Sequence, residues 1–115
     1  MQGVKDSSRL YEVERRRYHP ICAGLRIAEM QISPTQQVPW HYHNAVQDTF
    51  YVVSGTIRIR TRDPDGEVCL TPGQTYSVAA GRPHQVTNAG AGSALFLVLQ
   101  GIGEYDFVPL GSSRL

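Results

Sequence analysis

The run TFYVVSGTIRIRTRDPDGEVCL, from Thr49 to Leu70, decides the fold. Its first part alternates Phe50 and Val52 against Thr49, Tyr51 and Val53. Its second alternates Ile57 and Ile59 against Arg58, Arg60 and Arg62. A period of two places successive side chains on opposite faces of an extended chain, so each part reads as a strand with one face for a core and one for water. Ser54-Gly55 separates the two parts, and Asp63-Pro64-Asp65-Gly66 separates the second from Glu67–Leu70. Asp65-Gly66 between alternating runs is a strong hairpin signal. The pattern extends in both directions. Leu25–Ser33 and Val38–His43 precede it, and Gln74–Val78, His84–Asn88 and Ala94–Gln100 follow. Thr71-Pro72-Gly73, Ala80–Pro83 and Asn88–Gly92 supply the turns between them. After residue 20 no stretch holds a helical apolar period. Eight short strands with tight turns predict an all-β protein, an antiparallel barrel or double-sheet jelly roll.

Composition bounds what such a barrel does. A chain of 115 residues suits one domain, and 41% apolar with 18% charged residues is too apolar for a disordered chain. Eleven Lys and Arg against ten Asp and Glu leave a net charge of +1, which offers no basic field for nucleic acid or a membrane surface. The longest apolar run, Ala94–Leu99, is far short of the roughly 20 residues of a membrane span. The first residues hold no apolar leader core, so a cytoplasmic location is expected. Cys22 and Cys69 are too few and too far apart for a disulfide scaffold or zinc knuckle, and are expected to be free thiols.

Residues 25–100 are expected to carry the barrel core. Residues 1–24 read as an N-terminal arm or edge strand, with Leu10–Arg17 as the strand and Arg15, Arg16 and Arg17 as a charged edge that discourages aggregation. Residues 101–115 form a tail in which Tyr105, Phe107, Val108 and Leu110 are apolar enough to cover a barrel seam or a second copy. A small core and two apolar ends suggest a homodimer.

Chemistry concentrates in three histidines. His41 and His43 are two apart in a predicted strand, so they share a face. Pro39, Trp40 and Tyr42 crowd them, an environment costly for unpaired imidazole. Asp48 falls in phase with Phe50 and Val52, on the face expected to point inward; an inward carboxylate needs a cation or donors. It either ligates a metal or caps the turn, with Gln47 as an alternative ligand. His84 follows the rigid Gly81-Arg82-Pro83 turn in phase with Val86, on a strand that a closed barrel can lay beside His41. Three imidazoles and one carboxylate form a ligand set for iron, manganese, nickel, cobalt or zinc. The other candidates carry less. His19 is expected to be exposed or locally paired. Arg58, Arg60 and Arg62 form a solvated face or an anion-binding wall. Tyr42, Tyr51 and Tyr76 are expected to pack as aromatics, and no Ser or Cys sits in a nucleophile context.

These residues resemble the paired motifs of the cupin superfamily. The first motif is Gly, five residues, His-x-His, three or four residues, Glu, six residues, Gly; His41, His43, Asp48 and Gly55 match its spacing. The second is Gly, five residues, Pro-x-Gly, two residues, His, three residues, Asn; Gly73, Gly81, His84 and Asn88 match it. Thr35, Asp48 and Ala79 stand where the family pattern has Gly, Glu and Pro. The resemblance implies a double-stranded β-helix that holds one divalent transition metal on His41, His43, His84 and Asp48, often within a dimer. It implies that Asn88 is structural. It also implies a small-molecule ligand or substrate and, for an enzyme, dioxygenase-, lyase- or isomerase-type chemistry. Other cupins are non-catalytic storage or regulatory domains, so a ligand-binding or sensory module is the alternative.

Overall fold

The computed structural model describes residues 3–111; residues 1–2 and 112–115, the outer ends of the predicted arm and tail, lie outside the described residues. Ten strands follow one another: β1 (Arg15–Cys22), β2 (Leu25–Ile32), β3 (Gln37–Tyr42), β4 (Gln47–Ser54), β5 (Ile57–Thr61), β6 (Gly66–Leu70), β7 (Thr75–Val78), β8 (His84–Asn88), β9 (Ala94–Gly101) and β10 (Val108–Pro109). They form two five-stranded antiparallel sheets, ordered β1-β2-β9-β4-β7 and β10-β3-β8-β5-β6. The fold is the all-β jelly roll expected. The eight predicted strands are β2 to β9, none displaced by more than two residues at an end.

Alternation builds the core between the sheets. Ala28, Met30, Ile32, Phe50, Val52, Phe96 and Val98 project from the first sheet onto Val38, Ile57, Ile59, Leu70 and Val86 of the second, all essentially water-free. Burial of Phe or Ile side chains on this scale contributes about 1.5–3 kcal/mol each. Gly55 joins β4 to β5 with φ near 79°, and a Cβ there would come within 2.7 Å of the Ala94 Cα. Only glycine satisfies both the turn and the close strand approach.

Three local readings change. The hairpin between β5 and β6 closes through residues 62–65, with Asp63 as the left-handed residue at φ 56°, and Gly66 already belongs to β6. The edge strand begins at Arg15, so residues 10–14 of the predicted Leu10–Arg17 strand lie outside it. The cause is Arg16, whose guanidinium donates to the Ser8 and Tyr11 carbonyls and folds that segment back as a turn. A register shift between β3 and β8 is the third. Val38 pairs with Val86 and His41 with His84, so three residues of β3 span two of β8. Pro39, which has no N–H to donate, sits in this bulge.

Arm and tail meet over one end of the barrel. Val4 and Phe107 exchange backbone hydrogen bonds of 2.9 and 2.8 Å, and β10 adds to β3 opposite His41 and Tyr42.

Candidate metal centre

His41 lies in β3, His43 one residue beyond it, His84 opens β8 and Asp48 enters from β4 of the facing sheet. The bulge makes this possible. Strict alternation from the buried Val38 would turn His41 and His43 outward, whereas the extra residue resets the phase and both point inward. All four residues are buried, with exposures of 3%, 3%, 2% and 1% for His41, His43, Asp48 and His84. One ligand atom from each lies within 4.8 Å of every other.

Backbone carbonyls orient all three rings. His41 Nδ1 donates to the Pro39 carbonyl at 2.7 Å, His84 Nδ1 to the Arg82 carbonyl at 2.9 Å, and His43 Nδ1 to the Asp106 carbonyl. A carbonyl only accepts, so each Nδ1 carries a proton and each Nε2 is left to face the centre. The Nε2 atoms of His43 and His84 both stand 3.0 Å from Asp48 Oδ2. Two ligands at right angles on an ion about 2.1 Å away are themselves about 3.0 Å apart, so this spacing suits adjacent ligands as well as hydrogen-bonded partners. The residues present fit a divalent transition metal: three oriented imidazoles and one carboxylate, all buried.

The charges are set by burial and by each other. Burial alone would push the Asp48 carboxyl up, but hydrogen bonds and charge from His43 and His84 hold it far below the usual carboxylate range. Burial opposes charge on His43, yet its bond to Asp48 raises its pKa above the ordinary value. Burial, with the neighbouring His84 and His43, drives His41 well below it. Asp48 is thus an anion among imidazoles of unequal basicity.

Several supporting residues carry no motif signal. Gln100 pairs with Asp48 across β9 and β4 and donates to Oδ1 at 3.2 Å, while its own carbonyl oxygen accepts from Arg26 Nε at 2.8 Å. The Asp106 carboxylate receives the Asn44 backbone and side-chain amides at 2.9 and 2.6 Å, and so fixes the carbonyl that orients His43. Phe107 stacks on His41 at 4.2 Å and 13°, and the Tyr105 hydroxyl shares a 2.9 Å hydrogen bond with Ser7. Burial raises the Tyr105 phenol well above its usual value, so it stays protonated. Gln100 was readable only as the buried phase of β9, and Phe107 only as an apolar tail residue. The cavity they enclose beside the histidines measures about 20 Å³, walled by Met30, Phe50, Phe96 and Val98. That is about the space that one water or one ion needs.

The remaining candidates stand elsewhere. Gln47 is exposed, whereas Asp48 beside it is buried with the three histidines. Asn88 donates to the Ile32 and Gly92 carbonyls and accepts from the Gly90 amide, a structural role. His19 is largely exposed and meets Glu29. Arg58 and Arg60 pair with Glu67 and Arg62 stacks on Trp40, an outer face remote from the cavity. None of Tyr42, Tyr51 and Tyr76 lines the cavity. Cys22 and Cys69 are exposed free thiols.

The chain is thus a two-sheet β-barrel with three inward histidines and a carboxylate gathered at one place. The cupin domain profile matches residues 28–100, and the chain belongs to the cupin family. No curated protein sequence matches it. Among solved structures, oxalate decarboxylase from Lactobacillus farciminis in complex with formate aligns with TM-score 0.74 and 17% identity over 87% of this chain. A structure from a study of two DMSP lyases aligns with TM-score 0.66 and 27% identity over 76%. An uncharacterized double-stranded β-helix protein from Klebsiella pneumoniae aligns with TM-score 0.69 and 20% identity over 94% of this chain and 91% of its own. The chain spans only 32% of the decarboxylase and 44% of the lyase.

Proposed function

We propose that this cupin binds one divalent transition metal through His41, His43, His84 and Asp48 and acts with it on a small organic molecule, in dioxygenase-, lyase- or isomerase-type chemistry. The observation that carries the reading is the locking of all three Nδ1–H groups onto carbonyls, which aims three Nε2 atoms and Asp48 at one point. Bound there, the metal supplies Lewis acidity or redox capacity. The chain's own residues do the rest. Gln100 holds the Asp48 carboxylate in register, the apolar wall excludes water, and the protonated Tyr105 phenol is a hydrogen-bond donor rather than a base. The lyase kinship at 27% identity supports lyase-type chemistry within this range.

One observation favours a second reading. A cavity of about 20 Å³ suits a non-catalytic, ligand-binding or sensory module with a structural or vestigial metal site. Metal content by mass spectrometry, on protein purified without a nickel column or chelator, tests the common part. About one metal per chain is expected, with loss in His84→Ala. A protein that stays empty after reconstitution ends the metalloenzyme reading. Oxygen uptake and turnover with a panel of small acids, phenols and diketones then separate enzyme from module.

A further inference from the structure

Outside the barrel end lies a second, larger cleft of about 250 Å³, walled by Pro20, Leu25 and Val46 and floored by Arg26, Gln100 and Tyr105. Arg26 is the unusual member. Its guanidinium carbon sits 3.4 Å from the Tyr105 ring centroid and 4.5 Å from that of Tyr18, and its Nε donates to Gln100. Among the described residues no carboxylate lies within ion-pair distance of it, although Arg15, Arg58 and Arg60 all have acidic partners. Among the described residues its terminal nitrogens donate to no acceptor, and they are not sealed from solvent. Two aromatic faces and one amide hold the fork in place, and its remaining N–H groups are unmatched. A pre-oriented, unpaired guanidinium is the geometry that recognises a carboxylate or oxoanion through two parallel hydrogen bonds.

We propose that this cleft is a binding site for a small oxoanion, held bidentately by Arg26. Arg26, Gln100 and Asp48 form one hydrogen-bonded chain, so the anion would sit one glutamine away from the candidate metal ligands without entering the closed cavity. Glu104 also lines the cleft, 2.8 Å from Lys5, and its charge opposes the anion. The site stands on Arg26 and holds whether or not a metal binds.

The test follows the Arg26 Nε–H resonance by NMR in the ¹⁵N-labelled full chain, once chelator-treated and once zinc-loaded. Sodium acetate and sodium sulfate are titrated at ionic strength held constant with sodium chloride. The acetate arm reports a planar carboxylate and the sulfate arm a tetrahedral oxoanion. A saturable shift with at least one of them in both forms of the protein is expected. Read at the Gln100 side-chain amide, Arg26→Gln should weaken binding at least tenfold, and Glu104→Gln should tighten it two- to fivefold. A shift that chloride reproduces, saturation confined to the zinc-loaded chain (an anion on the metal), or an affinity unchanged in Arg26→Gln would overturn the proposal. If Arg26→Gln fails to fold, Glu104→Gln decides, and no tightening there overturns it as well.

Discussion

At the scale of single residues the centre is a problem of aiming lone pairs. Each imidazole gives one nitrogen to a carbonyl, which leaves the other no choice of direction. Asp48 needs the same service and receives it from Gln100. Gln100→Leu keeps the bulk and removes that hydrogen bond, and metal affinity is expected to fall about 10- to 100-fold in a chelator competition assay. An unchanged affinity would show that Asp48 positions itself. Proton competition sets the pH dependence. His43 binds its proton more tightly than an ordinary histidine, so as pH falls a growing fraction holds a proton that metal must displace. His41 is shifted the other way and is neutral over the same range. Calorimetric titration at pH 6 and pH 8 should therefore show tighter binding at pH 8, with a slope that approaches about tenfold per pH unit only where the pH lies below the His43 pKa. Stability of the metal-free chain has an acid limit of the same origin. Asp48 contributes stability above its ordinary pKa that is lost as pH falls through its lowered folded value. His41, depressed by burial, withdraws stability as pH falls below about 6.5.

Strands and turns decide whether those residues can meet. Each sheet needs its connections to return the chain at strand spacing, and Gly55, Gly73 and Gly81 all turn with positive φ. Their surroundings differ. A Cβ at Gly55 strikes the Ala94 backbone, whereas a Cβ at Gly73 meets nothing within 4 Å. Gly73→Ala is expected to cost about 1 kcal/mol for its backbone alone, and Gly55→Ala about 2–3 kcal/mol. Urea denaturation of the two variants checks the order, and equal losses would contradict the steric account. The bulge at Pro39–Trp40 matters more for function than any turn. It is one extra residue, and without it His41 and, just beyond β3, His43 would face solvent.

For the whole molecule the decisive feature is closure of one barrel end by two segments far apart in sequence. Phe107 is fully buried, stacked on His41 and bridged to Val4, so the arm and tail shut the centre together. Phe107→Ala is expected to cost about 3–5 kcal/mol and to open the cavity. Metal should then pass to a chelator at least tenfold faster than from the parent protein, measured by stopped flow at a temperature where both are folded. Equal rates would show that metal escapes by another route.

Alternation of polar and apolar residues, and the glycines and prolines between them, were enough to predict eight strands and their turns. These are local properties: the period of an extended chain and the backbone cost of a tight turn operate within a few residues. His41, His43, Asp48 and His84 were legible for the same reason, as donors of the right type in repeating phase. The sequence could not say which way His41 and His43 point, because their phase depends on how β3 registers against β8, a strand more than forty residues further on. Nor could it select Asp48 over Gln47, since burial separates them only once β4 has two neighbours. Arg26, Gln100 and Phe107 look ordinary in the chain and acquire their roles from contacts spanning 74, 52 and 66 residues. Local physics writes the strands; long-range register and closure decide what they enclose.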